Sequence, residues 1–153
     1  MRVMTRQERQ MTDEDALEIL KKGEFGVLST VDGEGQPYGT PLNYVLVDKT
    51  LYFHCALQGY TLDNMAGNPR VCFTVVGRTQ VKPEAFTTEY ESVIVFGQAG
   101  LTDETQKVEV LKEFVKKYSP EYQEKGFQTA ENFKDKTTVV KIVITHLTGK
   151  RKL

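Results

Sequence analysis

Cysteine, histidine and proline are scarce in this chain: two, two and five among 153 residues. No apolar run approaches the roughly 18 residues that a membrane-crossing helix needs. Each shortage excludes something. Cys55 and Cys72 both lie inside apolar runs, which reads as two buried, reduced thiols rather than a disulfide framework. His54 and Cys55 are neighbours on a strand, so their side chains leave on opposite faces. That removes them as a nucleophile–base pair. Cys72 and His146 have no ligand-spaced companions, so no metal site is expected. Positive and negative charges nearly cancel, 20 Lys and Arg against 21 Asp and Glu, for a net charge of -1. Such a balance gives no electrostatic case for nucleic acid. The opening MRVMTRQERQ is polar and charged, unlike a secretion signal, so a cytoplasmic protein is expected. Gly33-x-Gly35 is followed by Tyr38 and no helix, which makes it a hairpin turn rather than a dinucleotide fingerprint, and no Walker A motif occurs.

What is present is a series of short apolar strands. The length suits one domain, 1–153, and no repeat, linker or low-complexity segment divides it. Thr12 caps a first helix whose opening turn is acidic (Asp13, Glu14, Asp15) and whose end carries Lys21 and Lys22 before Gly23. Strands are expected over Phe25–Thr30 and Tyr38–Val47. The second contains Pro41, which marks an edge, a bulge or a strand end.

The stretch Leu51–Val76 then reads as strand, polar loop, short helix and strand. Gln58 to Thr61 supplies the turn and the helix cap, Leu62, Met65 and Ala66 share one helix face, and Gly67-Asn68-Pro69 ends it. A glycine loop opening a helix is a ready anion site. Tyr60 and Thr61 bring hydroxyls to it. Arg70 is either a bidentate phosphate partner or a solvated strand-end charge. His54 is either a structural histidine or a neighbour of that anion.

Beyond Val76 the residues Gly77–Glu91 read as a long loop that covers something. A strand over Ser92–Ala99 follows. Thr102 caps a helix over Asp103–Tyr118 with Val108, Leu111, Phe114, Val115 and Tyr118 on its apolar side. The polar Glu121–Lys136 has room for a further helical turn or two. The last strand is Thr137–Thr145, and His146–Arg151 reads as a solvated tail. By default Ser92 is a surface hydroxyl. Six short strands joined mostly by turns, with few helices, define a mainly β protein: an antiparallel barrel or sandwich with flanking helices.

Several of these pieces, in order, resemble a known family. They are Pro41-Leu42-Asn43-Tyr44, Leu51–Ala56 with Gly59, Asn68–Phe73, Phe86-Thr87-Thr88 and Tyr90–Val93. The chain resembles the flavin-binding split barrels of the pyridoxamine 5′-phosphate oxidase-like superfamily over residues 5–150, and most closely the nitroimidazole-resistance branch. The resemblance implies a six-stranded antiparallel split barrel and a homodimer with FMN in the groove between subunits. It implies flavin contacts from Asn43 and Tyr44, a ring neighbourhood at His54 and Ala56, and a phosphate neighbourhood at Gly59, Tyr60 and Thr61. Ser92 would approach from a neighbouring strand, including that of the second subunit. Relatives commonly carry lysine where this chain has Tyr60, so a cation is missing there. No residue stands out as a catalytic acid or base, as suits chemistry carried by a cofactor. The implied activity is FMN-dependent reduction of small acceptors, nitroaromatic compounds among them. A non-enzymatic flavin-binding protein and a haem-binding split barrel with His54 or His146 on iron are the alternatives. A true pyridoxamine-phosphate oxidase is disfavoured, because its basic substrate cluster is not found.

Overall fold

The structure, a computed structural model, describes residues 1–153. Its strands are β1 (Gln10–Met11), β2 (Gly26–Val31), β3 (Pro37–Leu42), β4 (Val45–Val47), β5 (Thr50–Cys55), β6 (Arg70–Lys82), β7 (Thr87–Leu101) and β8 (Thr138–Lys152). Its helices are α1 (Asp13–Lys22), α2 (Tyr60–Gly67), α3 (Glu104–Tyr118) and α4 (Gln123–Phe133). All pairings are antiparallel, in the order β3-β2-β6-β7-β8-β5-β4, with β1 added to β8.

The two ends of that order are one piece of chain. β3 pairs with β2, the chain bends at Asn43-Tyr44, and β4 pairs with β5. The strand expected over Tyr38–Val47 is therefore broken where it changes partner, just after Pro41. Taken as one bent strand, β3 and β4 reduce the seven-member path to six and close it into an antiparallel split barrel with flanking helices.

Alternation along the strands fills the interior. Leu28, Phe53, Phe73, Val75, Val93, Val95, Val140 and Ile142 are all buried in one cluster, joined by Ala16 and Leu20 of α1. A fully buried side chain of this size contributes roughly 1.5–3 kcal/mol through lost apolar exposure. The amphipathic face of α1 covers this side because Thr12 caps it as expected, its hydroxyl accepting from the Asp15 N–H at 3.2 Å. Close approach requires Gly149 on β8: a Cβ there would stand 2.4 Å from Met11 and 2.8 Å from Ala16. A second cluster lies outside the barrel wall. Val45, Tyr52 and Val139 of the sheet meet Val110, Leu111, Phe114 and Ala130 of α3 and α4.

Five expectations are corrected. Gly77–Glu91 is not a covering loop but a hairpin in which β6 and β7 continue past the core. A bulge lies between Val76 and Thr79, and a single 3-10 turn, Pro83–Ala85, reverses the chain. The segment hides this because neither of its faces is buried, so it has no alternating apolar signal. His146–Arg151 is not a tail but the second half of β8, paired to β7. Arg151 there binds Glu91 at 3.0 Å and Asp15 at 3.7 Å. Asp103, not Thr102, caps α3, accepting from the Gln106 N–H at 2.7 Å, while the Thr102 hydroxyl donates to the Val139 carbonyl. The Glu121–Lys136 segment holds a full helix, α4, whose Gly126 lets it press on Val115 of α3. Cys55 and Cys72 are unpaired and only partly buried, and burial pushes both thiols up.

Candidate functional site

Two neighbouring features define the candidate site: the bend between β3 and β4, and the N-terminus of α2. The bend is held by α3. The Tyr118 hydroxyl accepts the Tyr44 N–H at 3.1 Å and donates to the Glu24 carbonyl at 2.6 Å, with the Tyr44 carbonyl 2.9 Å away. Lys117 donates to that same Tyr44 carbonyl at 2.9 Å and sits 4.0 Å over the Tyr44 ring. Asn43 adds a 2.9 Å bond from its side-chain amide to the Glu24 carbonyl. Tyr44 itself is a core residue, 1% exposed, with its hydroxyl donating to the Leu20 carbonyl. Burial pulls the Lys117 ammonium down to about 8 and raises the Tyr118 phenol.

At α2 the cap is Gly59 itself, not Thr61, and no side chain closes the helix end. Thr61 lies in the first turn with its hydroxyl 3.2 Å from that of Thr40 on β3. The N–H groups of the first turn have no intrahelical partner. A Cβ at Gly59 would meet nothing within 4 Å, so this end is open to an incoming group. Tyr60 leans away from it. Its ring meets Tyr38 edge-on at 4.8 Å and its hydroxyl donates to the Asp32 carboxylate at 2.7 Å. That bond, with the N–H groups of Gln36 and Glu34, holds the Asp32 carboxyl below its usual range. The local donors therefore suit a phosphate, but the nearest fixed charge is negative.

The remaining expected residues are dispersed. His54, next to last in β5, faces α3, its ring edge-on to Phe114 at 4.7 Å, beside a cavity of about 460 Å³ lined by Leu111, Ala130 and Phe133 among others. Burial lowers its pKa, although its outer side is open to solvent. Ala56 is exposed on the loop that follows. Ser92 sits on the outward face of β7, opposite Val76 and Lys150, next to a different cavity. Arg70 is exposed at the start of β6, beside the groove containing Ser29 and Cys72. Within one chain, β3 joins Asn43 and Tyr44 to Gly59–Thr61 through the Thr40–Thr61 contact, while His54 and Ser92 stand apart. Asp32, Tyr38, Thr40, Lys117 and Tyr118 were not read as site residues from the sequence. Only Asp32 carried a local signal, as the first residue of the Asp32-Gly33 turn.

The bent-strand barrel with its small uncapped helix defines a class: the antiparallel split barrels. The chain belongs to the pyridoxamine 5′-phosphate oxidase family, whose sequence profile matches residues 12–151. No curated protein matches the chain. Among solved structures it is similar to a candidate 5-nitroimidazole antibiotic resistance protein from Bacteroides thetaiotaomicron. The two are 20% identical, 93% of this chain covers 86% of that one, and the TM-score is 0.75. It is also similar to an FAD-binding protein from Mesorhizobium loti, at 22% identity, 95% and 98% coverage and a TM-score of 0.68. A third is an FAD- and haem-binding protein from Mycobacterium smegmatis, at 18% identity, 94% and 73% coverage and a TM-score of 0.78. At these identities the similarities establish the shared fold.

Proposed function

We propose that this chain is a cytoplasmic, homodimeric flavoprotein that binds FMN between subunits and reduces small acceptors, nitroaromatic compounds among them. Family membership over residues 12–151 carries the reading. The structurally similar proteins that bind FAD support it. Bound flavin would supply the electron transfer; the chain supplies placement. The open first turn of α2 offers N–H donors to the phosphate, and Thr61 stands beside them. The bend at Asn43-Tyr44 is held rigid by Tyr118 and Lys117, so the backbone along which the ring would lie is fixed before binding. No histidine or carboxylate of this region is arranged as an acid–base pair, and the part left to the chain is to bind and orient the group.

The test is spectroscopic. Purified protein, or protein titrated with FMN, shows the two-banded absorption of oxidised flavin; the bands bleach when a reductant (dithionite or a reduced nicotinamide) is added without air and return when a nitroaromatic acceptor takes the electrons. Protein that takes up no flavin overturns the reading. A Soret band in its place assigns the protein to haem instead. Flavin that binds but passes no electrons leaves a binding protein rather than an enzyme.

A further inference from the structure

The helix α2 has two working sides. Thr61 and Asn64 face the sheet, their side chains bonded to Thr40 of β3 and Thr30 of β2. Leu62, Asp63 and Ala66 fall on the opposite side, because each helical residue advances by about 100°. On that side lies a cavity of about 470 Å³. Leu57 of the preceding loop, Leu101 at the end of β7 and Val140 of β8 join the helix in its wall, and Met65 is its buried base.

Asp63 and Thr138 are the only polar side chains in that wall. Asp63 takes part in no ion pair of the chain, and no lysine, arginine or histidine lines the cavity. Leu57 and Leu101 are 56% and 66% exposed, an apolar rim that nothing in the chain covers. The volume falls within the roughly 300–1,000 Å³ of small-molecule pockets. Such a wall selects by charge. An apolar body gains from burial against it. A cation gains at one point only, the unpaired carboxylate. An anion would meet Asp63 head on, and a neutral molecule would shield that carboxylate from water and return no partner.

We propose that this cavity binds a compact apolar molecule carrying one protonated amine, of the aralkylamine or alicyclic amine class. Its ammonium pairs with Asp63 and its apolar body packs on Leu62, Met65, Leu101 and Val140. The site is separate from the flavin site and stands or falls without it. Leu57 comes just before Gly59 in the chain, so an occupant also steadies the loop that leads into the first turn of α2.

The experiment uses phenethylamine, with phenethyl alcohol and phenylacetate as its neutral and anionic counterparts, followed by methyl NMR of the full chain. The amine shifts the methyl signals of Leu57, Leu62, Met65, Leu101 and Val140 in a saturable way. It binds about threefold to fivefold tighter than the alcohol, the scale of one exposed ion pair, and the carboxylate binds weakest. Asp63→Asn brings the amine down to the affinity of the alcohol and leaves the alcohol unchanged. Ala66→Phe weakens both about tenfold by filling the space they occupy. Equal binding of amine and alcohol by the parent chain overturns the proposal, as does an Asp63→Asn variant that keeps the preference. Shifts elsewhere in the fold, or none, overturn it too. Cavity signals that move when the protein alone is diluted mean that a second copy covers the rim, which also overturns it.

Discussion

The Tyr60 hydroxyl donates a 2.7 Å hydrogen bond to the Asp32 carboxylate, tying the first turn of α2 to the β2–β3 hairpin. The carboxylate oxygen that remains accepts the N–H groups of Glu34 and Gln36, each at 2.9 Å, so one aspartate holds both the turn and the helix. Its charge is unneutralised by any cation.

Asp32→Asn keeps an acceptor for the turn and removes that charge. FMN affinity is expected to rise about twofold to fivefold, the scale of one screened surface interaction. Riboflavin affinity stays unchanged, and the gain shrinks as salt is added. Tyr60→Lys tightens FMN most in this background, because in the parent chain Asp32 takes the new ammonium. Calorimetric titrations at two ionic strengths check this; equal effects on both flavins would place the phosphate elsewhere.

Tyr118→Phe removes the hydroxyl that serves Tyr44 and Glu24 and leaves its ring packing in place. The cost is expected at about 1–3 kcal/mol, since the partly buried Tyr44 N–H loses its partner while the Glu24 carbonyl keeps only Asn43. Denaturant unfolding measures the loss. Flavin affinity falls with it if the bend is part of the site, whereas a purely structural clamp lowers stability alone.

Stability should depend on pH through two groups held below their ordinary pKa. Lys117 titrates near 8 in the fold against 10.5 when free. The unfolded chain binds the extra proton between these values, so stability rises across that window as pH increases. Lys117→Met flattens the rise. Burial lowers His54 from 6.5, so its contribution is present above 6.5 and is lost as pH falls through the lower folded value. His54→Gln reduces the acid sensitivity. Melting temperatures measured from pH 5 to pH 10.5 test both; parent and variants with parallel profiles would refute the assignments.

Phe86 turns the β6–β7 hairpin with φ 52° and ψ 43°, and its side chain is 96% exposed. Left-handed backbone without glycine costs about 1–2 kcal/mol. Phe86→Gly should raise the melting temperature by about 2–4 °C. A fall instead would reveal that the ring is buried against a second molecule.

The sequence made the barrel legible wherever one face of a strand is buried. In β2, β5 and β6, alternating Leu28, Leu51, Phe53, Phe73 and Val75 mark the interior. It failed where a strand is solvated on both sides, as beyond Val76, and where polar residues fill a paired strand, as beyond His146, because hydrogen bonding to a neighbour leaves no imprint on composition. For the site, Gly59–Thr61 was legible as an open helix start because glycine and hydroxyls announce turns. The clamp was not: Tyr118 meets Tyr44 across 74 residues, and each looks locally like ordinary apolar patterning.

A single bent strand closes both edges of the barrel, so neither edge can fray independently. Release of Asn43-Tyr44 from Tyr118 loosens the β3 ladder to β2 and the β4 ladder to β5 together. Amide exchange at Thr40 and at Val45 should therefore report the same opening event, with matched protection, even though the two residues pair with different strands. The joint works as the clasp of the barrel: a cofactor seated against it would slow that shared opening on both sides at once.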